Sequence, residues 1–188
     1  MLIGITGKKF HGKDTIANII RNAYPSYTKY SMALPIKNVG KSLGFTYREM
    51  YDPAFKEIVN ASLGISFREF ATKFGTDFMR ETFGVDIWIK RLEMYLSSTR
   101  IRNLVIPDIR FDNEAEYIVN NGGIIVMVEN PRVQLPVLSQ SHVSEAGVNL
   151  KYVSITFLND GDVKHLKEEV LSFFKYPRQP ESFKTIGV

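Results

Sequence analysis

The sequence predicts an α/β fold, a five-stranded and mostly parallel sheet crossed by helices, with a long helical insertion. Three observations carry this. Short aliphatic and β-branched runs, "LIGIT" (2–6), "NLVIP" (103–107), "GIIVMVE" (123–129) and "YVSITFL" (152–158), read as strands buried on both faces. Helical spacing of apolar residues recurs beside them, at 112–121 and 162–174. The stretch 33–100 is dominated by helical patterns and is far longer than a strand-to-strand crossover requires.

The first strand stops at Gly7, and Ile16, Ile19, Ile20 and Ala23 then mark a helix that Pro25 ends. "TKYSM" (28–32) reads as a weaker second strand. Residues 33–100 include "FREFATKFGTDFMRETFG" and "VDIWIKRLEMYLSS" and read as an insert over the strand ends, where substrate recognition belongs; the plain alternative is helices that only cover the sheet. At 188 residues and 44% hydrophobic, the chain supports one core and hence one domain over 1–188.

Composition also sets limits on function. The first residues lack the charged start and apolar core of a secretion signal, and no run of about 18 apolar residues occurs, so neither export nor a membrane partner is expected. The absence of cysteine excludes disulfides and thiolate metal sites and agrees with a cytoplasmic setting. A net charge of +4 calls for a negative partner without separating nucleic acid from polyphosphate. The basic residues are scattered rather than gathered in an arm, so no stable nucleic-acid partner is expected.

The segment "GITGKKFHGKDTIA" (4–17) carries the chemistry. Polyphosphate needs several backbone donors at close range, which glycines such as Gly7 and Gly12 permit, and a helix N-terminus that adds partial positive charge. Lys13 would reach the β- and γ-phosphates. Asp14 stands where the common pattern has Ser or Thr. Its carboxylate would hold Mg²⁺ or orient its waters, with Thr15 taking the hydroxyl role, or it would simply favour the helix dipole. Asp108, at the end of a strand, is placed as a second metal-side carboxylate, and Arg110 lies two residues beyond it.

These stretches resemble the phage-type deoxynucleoside monophosphate kinases, within the P-loop nucleoside monophosphate kinase group. The matching runs are "GKDT" (12–15), "ALPIK" (33–37), "FGTDFMRE" (74–81), "DIW" (86–88), "PDIRFDNEAE" (107–116) and "HVSE" (142–145). Asp after the loop lysine is normal in that family. The resemblance implies a P-loop kinase-like three-layer fold and transfer of the ATP γ-phosphoryl group to a deoxynucleoside 5′-monophosphate with Mg²⁺, in the cytoplasm, or the host cytoplasm if phage-encoded. A nucleoside monophosphate is already largely ionised at neutral pH, so the reaction requires cations held in line rather than a strong base.

By resemblance, the catalytic set is Lys13, Asp14, Asp108 and Arg110. ATP would be bound by Gly7, Gly12, Lys13, Asp14, Thr15 and Arg132, the last in a candidate lid at 130–145. The acceptor would be bound by Lys9, Lys37, Arg68, Asp77, Arg80 and Glu114, with Trp88 stacking on the base or, equally, filling the core. Metal ligation falls to Asp14, Thr15 and Asp108. His11, His142 and His165 show no metal-ligand spacing, and "NDGD" (159–162) reads as a turn and helix start that by analogy touches adenine. A homodimer is left open. The rival readings are another small-molecule P-loop kinase, of the phosphomevalonate or dephospho-coenzyme A type, and a nucleic-acid-associated ATPase.

Overall fold

In the computed structural model, residues 1–133 and 147–175 are described. The chain divides into two compact units, one formed by residues 1–30 with 96–188 and the other by residues 31–95. The first unit contains a sheet of five strands, β1 (Leu2–Thr6), β2 (Thr28–Lys29), β5 (Leu104–Ile106), β6 (Ile124–Glu129) and β7 (Val153–Leu158), in the order β2-β5-β1-β6-β7. Every pairing in it is parallel.

Alternation along these strands sorts side chains onto two faces. Ile3, Ile5, Val105, Val126 and Val128 pack on one face with Ile16, Ala17, Ile19 and Ile20 of α1 (Lys13–Ala23) and Leu166 and Val170 of α8 (Val163–Lys175). The other face is covered by α7 (Asp112–Asn120), whose Ala115 and Ile118 are fully buried, as are Leu104, Ile106 and Ile125 of the sheet. Burying a side chain of this size contributes about 1.5–3 kcal/mol. Two such faces account for strands that read as unbroken apolar runs.

Chain order explains where ligands gather. From β1 the chain crosses to β2 at one edge, and later passes from β5 through α7 to β6 on the opposite side of β1. Strand order therefore reverses at β1, and the crevice beyond its carboxyl end is the ligand position in open parallel sheets.

The expected second strand, 28–32, is shorter than predicted. Only Thr28 and Lys29 pair with β5, because β2 is an edge with one neighbour. Helices α7 and α8 fall within one residue of their predicted limits, and the Asp162 carboxylate accepts the His165 N–H at 2.7 Å at the start of α8.

The second unit holds α2 (Leu34–Leu43), α3 (Tyr47–Tyr51), a hairpin of β3 (Val59–Asn60) and β4 (Ile65–Ser66), α4 (Phe67–Thr72), a π-helical turn (Lys73–Phe78) and α5 (Met79–Phe83); α6 (Ile87–Ser98) leads out of it. One core cluster there is Phe45, Met50 and Phe67, extended by Ile65, Phe70 and Ala71, and Ile36, Trp88, Ile89 and Leu92 of the same unit are buried as well. Thr46 and Glu49 cap α3 reciprocally. From this core a row of rings runs outward: Phe70 stacks on Phe74 at 5.5 Å and Phe74 on Phe78 at 5.9 Å. The π turn and the hairpin are not anticipated by the helical reading of 33–100.

Candidate active site

The loop between β1 and α1 is shaped by residues that only unusual backbone angles allow. Gly7 has φ 138° and Gly12 φ 107°. A Cβ on Gly7 would collide with the Val128 carbonyl oxygen, and one on Gly12 would lie 2.6 Å from Asn159 Nδ2. Glycine is therefore required at both positions by conformation and by space. Phe10 also has positive φ, 66°, and its ring is exposed, an arrangement that is unfavourable by about 1–2 kcal/mol for a non-glycine residue. Backbone strain of this kind collects at functional loops.

Lys13 opens α1 and folds back over the loop: its Nζ donates to the carbonyls of Gly7 and Lys8, both at 2.7 Å. No side chain caps the N-terminus of α1, whose N-cap is Gly12. First-turn N–H groups are thus presented beside an ammonium group, the combination that binds phosphate.

Asp14 is exposed, and its Oδ1 pairs with Lys29 Nζ at 2.6 Å; the same ammonium reaches Asn18 Oδ1 at 3.4 Å. Lys29 stands on β2, the element that follows α1, and sequence reading did not single it out. Asp108 lies two residues beyond β5. The next residue, Ile109, donates its N–H to the Ile5 carbonyl at 3.2 Å, so Asp108 and Arg110 flank a residue bound directly to β1. Arg132 follows β6, and its N–H donates to Asn130 Oδ1 at 2.9 Å.

Two predicted acceptor contacts take different places. Glu114 is buried, and its Oε2 accepts the N–H groups of Arg110 at 2.9 Å and Phe111 at 3.2 Å. A desolvated carboxylate that accepts two backbone N–H groups fixes the turn that carries Arg110. Trp88 is likewise buried, and its indole N–H donates to the Gly75 carbonyl at 2.9 Å inside the π turn. The ring is packed in the core and serves as a post for that turn.

Within the second unit, Arg68 Nε pairs with Glu57 Oε1 at 2.6 Å and Lys37 Nζ lies 4.1 Å from the centre of the Tyr51 ring. Asp77 is exposed and Arg80 half-buried, on the π turn and α5 respectively. Lys9 rests over the Phe10 ring at 4.8 Å and Thr15 is half-buried in the first turn of α1. His142 and the 134–145 portion of the candidate lid lie outside the described residues, as does the tail from 176.

Sequence reading assigned no role to His11, which is buried in the loop. Its Nδ1 accepts the Asn130 N–H at 3.1 Å, and its carbonyl accepts Asn159 Nδ2 at 3.0 Å. Burial holds its pKa below the ordinary 6.5; the Val128 carbonyl opposes that shift, while Lys13 and Lys8 reinforce it.

A glycine loop on the central strand, a lysine folded over it and carboxylate and guanidinium groups at the neighbouring strand end define a phosphoryl-transfer enzyme of the P-loop kinase class. Comparison agrees on the fold: shikimate kinase from Aquifex aeolicus superposes with a TM-score of 0.52 over 93% of this chain and 96% of that one, at 14% identity. The deoxynucleotide monophosphate kinase family matches residues 41–170, and the chain belongs to that family. A protein of Acanthamoeba polyphaga mimivirus assigned as a deoxynucleotide monophosphate kinase is 23% identical over 92% of this chain and 95% of its own length. The deoxynucleoside-5′-monophosphate kinase of Escherichia phage T5 is 30% identical over 63% of this chain, which spans 50% of the phage protein. ATP use follows from the family. Among the described residues, no helix is long and apolar enough to cross a membrane.

Proposed function

We propose that the chain transfers the γ-phosphoryl group of ATP to a deoxynucleoside 5′-monophosphate, with Lys13, Asp14, Asp108 and Arg110 at the reacting groups. The observation that carries this is the loop, where positive-φ glycines and Lys13 Nζ, 2.7 Å from two loop carbonyls, make a cradle that a polyphosphate enters by exchanging those carbonyls for its own oxygens. Gly7, Gly12 and Thr15 line the ATP side, and Arg132 approaches from the exit of β6. Arg110, its backbone fixed by Glu114, grips oxygens of both phosphates with its planar fork.

The unit 31–95 supplies the acceptor side through Lys37, Arg68, Asp77 and Arg80, with Lys9 contributed by the loop. The attacking oxygen is already anionic at neutral pH, so these residues align two repelling anions and no general base is assigned. The oxygen donors Asp14, Thr15 and Asp108 fit Mg²⁺, which is held by one or two carboxylates plus substrate phosphates rather than by an all-protein cage. Bound there, Mg²⁺ would offset charge on the β- and γ-phosphates. Lys29 holds the Asp14 carboxylate at a set place in the first turn of α1.

The test is a coupled ADP-release assay across deoxynucleoside and ribonucleoside monophosphates and the parent nucleosides. Turnover with at least one deoxynucleoside monophosphate and none with its nucleoside is expected. Equal use of the nucleoside, or ATP hydrolysis indifferent to any monophosphate, overturns the reading.

A further inference from the structure

We propose that His11 is the positioning residue of the phosphate loop, a neutral imidazole whose Nδ1 accepts the Asn130 N–H and so clamps the loop to the ends of β6 and β7. The inference rests on the kinase reading for what the loop binds, but the clamp itself is read from contacts alone. Four hydrogen bonds form it. Besides the ring contact at 3.1 Å, the His11 carbonyl accepts Asn159 Nδ2 at 3.0 Å, the Asn159 N–H reaches the Glu129 carbonyl at 2.7 Å, and Asn130 Oδ1 takes the Arg132 N–H at 2.9 Å. Loop, β6 exit and β7 exit are thereby tied together, and the backbone of Arg132 is tied to the same knot.

The loop requires such a tie. It has no ladder of its own, contains two positive-φ glycines, and each residue left loose would lose about 1–2 kcal/mol of conformational entropy when phosphate ordered it. Preorganised donors avoid that loss at the moment of binding. A neutral acceptor suits the place. A carboxylate there would also hold the Asn130 N–H, but its charge would cancel the field that Lys13 and Lys8 direct at the phosphates. Imidazole supplies the acceptor without the charge.

The same choice makes the clamp sensitive to acid. The charged groups around the ring are Lys8 and Lys13 of the loop and helix and Glu129 of β6, with the Val128 carbonyl alongside. Burial and the two lysines disfavour imidazolium, and the carbonyl and Glu129 oppose them. Protonation would set an Nδ1–H against the Asn130 N–H, donor against donor. Because the folded-state pKa lies below the ordinary 6.5, the contribution of the clamp is complete above that pH and is lost as pH falls from there through the folded-state value.

Three variants of the full chain test this: His11→Asn, whose amide oxygen can replace Nδ1 as an acceptor but cannot titrate, His11→Leu, and Asn159→Ala, which removes the other anchor. Calorimetric ATP binding at about pH 7.5 should weaken about tenfold or more in His11→Leu and Asn159→Ala, as for loss of a buried hydrogen bond, while His11→Asn keeps most of the affinity. As pH falls from 6.5 to the point where His11 itself titrates, read from its ring nitrogens by NMR, the wild-type affinity should fall relative to that of His11→Asn, a ratio that removes the titration of ATP itself. Nitrogen-15 NMR of the nucleotide-free chain should show Nδ1 of His11 without its proton at neutral pH, an arm that stands even if His11→Leu folds poorly. The proposal is overturned by wild-type affinity in well-folded His11→Leu, by a ratio that stays flat through the titration of His11, or by a protonated Nδ1 at neutral pH. Failure of the wild type to bind ATP would instead strike the kinase reading, leaving the NMR result to judge the clamp.

Discussion

The phosphate loop and the unit 31–95 are held together in different ways. The loop is fixed by features that permit almost no alternative: positive-φ glycines, a lysine on two carbonyls, and a buried histidine and an asparagine that tie it to strand ends. In the unit 31–95 the cluster of Phe45, Met50 and Phe67 stands beside further buried residues, Ile36, Trp88, Ile89 and Leu92 among them, and the cations Arg68 and Lys37 rest in an ion pair and on a ring face. Such pairs contribute little to stability where solvent reaches them. On the proposed assignment, polyphosphate meets the tightly fixed loop, and the acceptor meets cations whose present partners it can displace.

The sharpest way to break this comparison is at Lys13. Lys13→Ala removes both the charge on the phosphates and the two contacts that fold the ammonium over the loop, so kcat/KM should fall by about 10³-fold or more while the melting temperature moves little. Normal turnover in a folded variant would show that the loop does not hold ATP.

Arg110 comes next. Its charge is worth most where charge migrates between phosphates, so Arg110→Ala should lower kcat by on the order of 10²-fold, and Arg110→Lys should recover little because a point charge lacks the fork. Arg68→Ala should instead raise KM for the monophosphate about tenfold with kcat largely kept, since a residue that grips the acceptor equally throughout contributes uniform binding. If the two variants gave the same kinetic profile, the division between rigid and looser halves would fail.

How much of this could be read from sequence follows from the range of the interactions. Strands β1, β5 and β6 were legible because burial leaves an apolar run, and the edge strand β7 because its aliphatic, aromatic and β-branched residues favour strand although only Phe157 is buried. The loop was legible because its glycines, lysine and flanking elements are neighbours in sequence. The hairpin Val59–Asn60 with Ile65–Ser66 was not, since two-residue strands carry no periodicity; its turn is held by Asn60 Oδ1 accepting the N–H groups of Ser62 and Leu63. The π turn keeps apolar spacing that reads as ordinary helix. His11 contacts partners 119 and 148 residues away, and no local pattern signals that. Glu114 and Trp88 were visible as notable residues, but their burial and backbone partners, the Arg110 turn and the Gly75 carbonyl, were not.

Trp88 offers a smaller test within the looser unit. Trp88→Phe keeps an aromatic ring but leaves the Gly75 carbonyl without the indole donor, which should destabilise the chain by about 1–3 kcal/mol in chemical unfolding and raise KM for the acceptor more than KM for ATP. Equal changes in both constants would mean that the π turn does not shape the acceptor side in particular.

The smallest expected effect joins the two strategies, because the Asp14–Lys29 pair ties the first turn of the loop's own helix to β2 yet is open to solvent at its Asp14 end. A carboxylate this open to water gains little from one ammonium, so a double-mutant cycle of Asp14→Asn and Lys29→Met should give a coupling of about 0.2–1 kcal/mol in unfolding free energy, shrinking as salt is added. The effect on Mg²⁺ should be larger than the effect on stability. Asp14→Asn removes an anionic oxygen donor and should shift the Mg²⁺ titration of activity to higher concentration and depress kcat more than it alters acceptor KM. Lys29→Met frees the same oxygen from a competing cation and should shift that titration the other way. If both substitutions leave the Mg²⁺ curve where it was, Asp14 acts only on the dipole of α1, and Thr15 and Asp108 are the donors to examine.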